Sequence, residues 1–244
     1  MNSAVKRDVR LDVIRSSLLR TLGRSIKCAV VYGSTLNSDY CRYSDIDILI
    51  VVKEPDMASL KKLRVIKSEL RRHKLNVDFN VHGSGDLPQT RGRLFWHNNR
   101  GVYVQKELSL YGKVLIGRNL FSSPKIQQHN LQEEAVRVIN SLTYQARKII
   151  INKPMGRENK ILLIKFCIYG ALYVLAAKGL FPMDRRKAMS LFRQTYHPLI
   201  NPEQFIDAKV DRPDSISKED IESAYNFLKY LDDLVFSTYG RGAM

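Results

Sequence analysis

Between Lys27 and Val52 the chain reads KCAVVYGSTLNSDYCRYSDIDILIVV: an apolar run, a Gly-Ser pair, a polar loop, then an Asp-x-Asp inside a second apolar run. Cys28 to Tyr32 is short, rich in β-branched side chains and bounded by a glycine, the pattern of a buried strand. Ile46 to Val52 has the same texture and is expected beside it in one sheet. Asp45 and Asp47 stand two residues apart on or just before that second strand. Strand side chains alternate faces, so these two carboxylates point the same way, roughly 6.5–7 Å apart along the backbone. So placed, they repel each other and cost desolvation. A divalent cation removes that cost, and Mg²⁺ takes one or two protein carboxylates together with substrate phosphates.

Gly33-Ser34 closes the first strand. Glycine lets a backbone come close to a ligand, and a following helix would aim free N–H groups and a positive dipole at phosphates. Further on, Leu75-Asn76-Val77-Asp78-Phe79-Asn80-Val81 is another alternating run with a carboxylate at its centre. If that strand lies beside the Asp45/Asp47 strand, Asp78 joins them. Three carboxylates could hold two metals roughly 3.5–4 Å apart, the arrangement that clamps attacking and leaving oxygens in phosphoryl chemistry. A lone Gly-Ser or Asp-x-Asp is commonplace, and most such pairs are solvated strand ends. Here three apolar runs carry all the parts.

Gly33-Ser34, ten intervening residues, Asp45-Ile46-Asp47 and a later strand Asp78 resemble the nucleotidyltransferase superfamily that includes DNA polymerase beta. Within it the chain is similar to small two-domain types, in which a minimal or kanamycin nucleotidyltransferase-like domain precedes a helical one. The resemblance covers the first third of the chain. It implies that Asp45 and Asp47 bind two Mg²⁺ ions, that Asp78 completes the metal and catalytic site, and that Gly33 and Ser34 touch the nucleoside triphosphate. By the same resemblance Ser44 braces the loop before the aspartates. Many relatives carry arginine or glycine just after the Gly-Ser; Thr35-Leu36-Asn37-Ser38 departs from that pattern in the part that would grip the triphosphate. The fold implied is α+β: a mixed nucleotidyltransferase sheet flanked by helices, then an all-α bundle. Its domains would be residues 1–121 and 122–244.

The 40 Lys and Arg against 24 Asp and Glu leave a formal charge of +16. Net charge bears on partners rather than fold. It points to a polyanion, and an RNA acceptor such as tRNA is the first expectation for the hydroxyl that receives the nucleotide. Aminoglycosides are polycations, which the positive charge disfavours; they remain the small-molecule alternative. A protein acceptor and a catalytically inactive nucleic-acid-binding module are further alternatives. Three cysteines, Cys28, Cys41 and Cys167, lack disulfide or metal-ligand spacing and suit a reducing cytoplasm. The N-terminal stretch lacks the continuous apolar core of a signal peptide. Kanamycin-type relatives place the site between two subunits, which implies a possible homodimer.

Met1 to Arg24 carries apolar residues at near-helical spacing and is expected as an amphipathic helix. Met57 to Arg72 is expected as another, burying Leu60, Leu63, Val65, Ile66 and Leu70 beneath a basic face that includes Lys61, Lys62, Arg64, Lys67, Arg71 and Arg72. Leu94 to Leu108 reads as a short helix ending in a strand, and Gly112 to Gly117 as an edge strand. Beyond Ser122 the runs lengthen into helices over Leu131–Ile151, Ile161–Ala177, Pro182–Tyr196 and Ser217–Tyr239, with a proline-broken loop between the last two. The Ile161–Ala177 helix is apolar nearly all round but short of the ~20 residues of a membrane span and contains Lys165, so a central bundle helix, with no membrane partner, is expected. By resemblance to kanamycin-type enzymes, Glu133, Glu134 or Glu158 would offer a base and Lys160 or Lys165 a phosphate contact. Arg193 and His197 are too close together for the arginine–histidine signature of HEPN ribonucleases.

Overall fold

The computed structural model describes residues 8–36, 40, 44–87, 101–121 and 128–240. Helix α1 (Val9–Leu22) begins where Asp8 accepts a hydrogen bond from the Arg10 N–H, and ends at Gly23, whose φ is +49°. Leu11, Ile14, Leu18 and Leu22 recur every three or four residues and form its buried stripe. The first seven residues of the expected helix lie outside those described. Strands β1 (Ile26–Tyr32) and β2 (Ile46–Val52) are neighbours, as their apolar runs predict, and pair antiparallel. Helix α2 (Met57–Arg72), capped by Asp56, carries the chain over to β3 (Val77–Gly83), which lies parallel to β2. With β4 (Lys113–Gly117) antiparallel to β1, the order is β3-β2-β1-β4. This is the mixed sheet expected, with β4 on one edge and β3 on the other.

Helix α2 corrects one detail. Leu63, Ile66 and Leu70 are buried, whereas Leu60 and Val65 are exposed. At 100° per residue these two fall off the stripe that the other three define. The polar loop before α3 (Gly101–Tyr111) lies mostly outside the described residues; from Gly101 the backbone is helical, and the strand expected at its end is absent.

The described residues fall into two compact units: 8–36, 44–87 and 107–121 in the first, and Tyr40, 101–106 and 128–240 in the second. The first turn of α3 belongs with the helices because Glu134 of α4 (Gln128–Asn152) accepts the Val102 N–H at 2.8 Å and the Tyr103 N–H at 3.3 Å. A side chain distant in sequence thus caps this helix.

In the helical unit α5 (Arg157–Ala177) is the central member, touching α4, α6 (Arg185–Tyr196), α7 (Glu203–Val210) and α8 (Lys218–Tyr239). Among the described residues it alone is long and apolar enough to cross a membrane, and 78% of its most apolar window is buried against its neighbours. Gly170 permits a close approach to α8: a Cβ there would stand 2.6 Å from Leu231 Cδ1. Phe227 packs between Phe192, edge to face, and Phe205, tilted, with ring centroids 5.6 and 5.0 Å away. Helix α7 occupies the region expected as loop. Pro202 stands at its N-cap, where a ring without an N–H costs nothing, and Phe205, Ile206 and Ala208 are buried. Ser217 and Asp220 form the capping box foreseen at the start of α8.

Candidate active site

All six residues singled out from the sequence lie in the first unit, on or next to β1, β2 and β3. Tyr32, the last residue of β1, is the register partner of Asp47, and Asp47 is in turn the register partner of Asp78. Register partners in a sheet project to one face, so Asp47 and Asp78 share it. Asp45 and Asn76 lie two residues earlier, just ahead of their respective strands, where the Ile46 N–H donates to the Asn76 carbonyl at 2.8 Å.

The glycine turn meets this face directly. Gly33 has φ +73°, and an added Cβ would stand 2.7 Å from Asp47 Oδ2. Only a glycine leaves room for that carboxylate and adopts this backbone without strain. Residues Gly33–Leu36 form one turn of 3-10 helix rather than the longer helix the phosphate argument envisaged. Ser34 is buried beneath the turn, Ser44 is buried just ahead of the aspartates, and the Thr35 hydroxyl donates to the Asp45 carbonyl at 3.3 Å. Thr35, which stands where relatives differ, thus ties the turn to the Asp45 backbone. Asn37 and Ser38 lie outside the described residues.

Neighbours answer the crowded negative charge individually. The Asn76 side-chain amide donates to Asp45 Oδ1. Asp78 Oδ1 accepts from Lys67 Nζ of α2 at 2.9 Å, with both side chains about half exposed. A surface pair of this kind contributes about 0–1 kcal/mol. Across the same face the Asn80 amide donates to the Tyr32 hydroxyl at 2.9 Å, linking β3 to β1 over β2.

The three carboxylates foreseen from the sequence are on neighbouring strand segments. Among the described residues no three acidic, histidine or cysteine side chains converge to hold a metal. Asp78 shares the face with Asp47 but is engaged by Lys67, because α2 packs beside β3 and brings a lysine within reach of it. What remains is a two-carboxylate, all-oxygen donor pair at Asp45 and Asp47. That pair fits a hard cation that also draws ligands from substrate phosphates.

Residues 17–90, which contain every one of these groups, match the family model described as polymerase beta, nucleotidyltransferase. Residues 17–90 thus form a polymerase beta-type nucleotidyltransferase domain. No curated protein sequence matches the chain. Among solved structures it is similar to spectinomycin adenyltransferase AAD(9) from Enterococcus faecialis, crystallised with ATP and spectinomycin, at TM-score 0.57 and 14% identity over 93% of this chain and 98% of that one. The likeness speaks to the fold and extends through the helical unit.

Sequence reasoning passed over Asn76 and Lys67. Asn76 was legible, since the alternation that places Asp78 on a face places Asn76 and Asn80 there too. Lys67 was indistinguishable from the other cations of α2; which of them reaches β3 depends on helix packing. Of the residues weighed in the bundle, Glu133 and Glu158 are exposed, and Lys160 donates to the Ile216 carbonyl at 2.7 Å. Glu134 is the buried cap of α3, and Lys165 is half-buried.

Proposed function

We propose that this nucleotidyltransferase moves a nucleoside monophosphate from ATP or another nucleoside triphosphate to a hydroxyl acceptor, releasing pyrophosphate, with Asp45 and Asp47 holding Mg²⁺. The observation that carries the reading is the close approach of the Gly33 turn to Asp47, which brings a glycine turn and the carboxylate pair together. Bound there, Mg²⁺ would neutralise the triphosphate charge and orient the α-phosphate. Gly33 and Ser34 would lie against the triphosphate, with Ser44 and Thr35 keeping the turn and the aspartates in register. Asp78, next to Asp47 on the same face, would orient the acceptor hydroxyl and take its proton as the new oxygen–phosphorus bond forms. Catalysis of this kind is chiefly positioning and charge stabilisation.

For the acceptor, two observations favour different classes. The fold neighbour was solved with a small hydroxylated antibiotic, which supports a small-molecule acceptor. The charge of +16 supports an anionic one, and RNA remains the second reading on that ground. Labelled ATP incubated in parallel with spectinomycin and aminoglycosides, with total RNA, and with the protein alone separates these classes and self-modification.

The carboxylate assignment has its own test. Asp45→Asn and Asp47→Asn should each lower transfer by about 100-fold or more, beyond the loss typical of an outer-shell group, while circular dichroism stays unchanged. Full transfer by either variant would refute the assignment.

A further inference from the structure

The Lys67–Asp78 ion pair is an interaction at the site that the reaction as outlined leaves without a purpose. Lys67 extends from α2 to β3, an edge strand of the sheet. At 100° per residue, Arg64, Lys67 and Arg71 follow one another at i, i+3 and i+7 and form a single stripe on that side of α2. All three are exposed, and neither the Arg64 nor the Arg71 side chain is paired with any described residue. A plainer account covers part of this: a cation in the last turn of α2, as Arg71 is, offsets the helix dipole. It leaves unexplained why the middle member of the stripe grips an acid that is the register partner of Asp47.

Resting on the nucleotidyl-transfer reading, we propose that Lys67 is a positioning residue that exchanges partners: it pairs with Asp78, and passes to a substrate phosphate as substrate arrives along Arg64 and Arg71, releasing Asp78 to the Asp45/Asp47 pair. The physical basis is charge compensation. Asp78 beside Asp47 needs a positive neighbour, and Lys67 supplies one. A half-exposed ion pair is weakly held, so little opposes its exchange. A phosphate offers several charged acceptor oxygens that two arginines and a lysine bind more strongly than one carboxylate binds the lysine alone. When phosphate and metal arrive together, both members of the old pair gain a better partner. The phosphate is that of the triphosphate or of an RNA acceptor's backbone; the recognising chemistry is the same.

Titration of Mn²⁺ into the nucleotide-free protein, followed by the paramagnetic signal of the free ion, tests the exchange without turnover. Lys67→Met should bind Mn²⁺ about tenfold more tightly than the unaltered chain, an effect on the scale of outer-shell metal-site changes, and Lys67→Met/Asp78→Asn should lose that gain. Lys67→Arg should behave as the parent. In transfer assays Lys67→Met should raise KM more than it lowers kcat: KM for ATP if the triphosphate is the new partner, KM for RNA if the acceptor is. Arg64→Gln/Arg71→Gln should raise the same KM and leave Mn²⁺ affinity alone. Unchanged Mn²⁺ affinity in Lys67→Met, or a gain that survives loss of Asp78, overturns the exchange. Such a result combined with dead Asp45→Asn and Asp47→Asn variants removes the exchange alone, whereas full transfer by those variants removes the parent reading.

Discussion

At the scale of single residues, Gly33 carries the sharpest constraint. Its φ of +73° and the 2.7 Å that would separate an added Cβ from Asp47 Oδ2 act together. Gly33→Ala should cost about 1–2 kcal/mol for the left-handed backbone alone. The added methyl must also displace Asp47, so transfer should fall by more than the stability change accounts for. Denaturant melts beside initial rates would separate the two effects. His82, on the same strand face as Asp78, offers a pH test. Burial holds its imidazole below the ordinary value of 6.5, partly countered by Asp86. The folded state therefore binds fewer protons than the unfolded chain just below that value, so this contribution to stability is present above about pH 6.5 and is lost as pH falls. Urea midpoints at pH 7.5 and 5.5 should differ less in His82→Gln than in the parent.

At the scale of elements, the strands were legible and some helices were not. β1, β2 and β4 followed from apolar runs with glycine or polar boundaries, and α2 from its period. Helix α7 was hidden because three prolines around it read as a broken loop; one of them, Pro202, in fact stands at its start. The opening of α3 could not be read either, since its cap comes from Glu134, about thirty residues away. Glu134→Ala leaves two buried N–H groups without this acceptor and should cost about 1–3 kcal/mol. Glu134→Gln keeps an acceptor oxygen and should cost less. Thermal melts of the two variants provide the comparison, and equal losses would mean that charge rather than hydrogen bonding dominates.

At the scale of the whole molecule, charge and burial set the remaining terms. A chain of +16 will adhere to nucleic acid whether or not RNA is its acceptor. Such background binding should weaken steeply between about 50 and 200 mM salt, as counterion release requires. It should be equal in the parent and in Asp45→Asn. Filter binding across that range, set beside labelling of the same RNA, would show whether any RNA is modified rather than merely held. The apolar α5 belongs to this scale too: hydropathy alone left a membrane span conceivable, and four surrounding helices account for its apolar girth.

What the sequence determined by itself was local and periodic. Alternation into β2 set the spacing of Asp45 and Asp47, the glycine marked a turn that only glycine tolerates, and apolar residues at helical spacing marked the long helices beyond Ser122. What only the tertiary structure decided was which distant groups meet. Lys67 lies against Asp78, Asn76 against Asp45, and Glu134 against the first turn of α3. The physical reason is that a helix or strand pattern specifies which way a side chain points, whereas its partner depends on how separate elements pack.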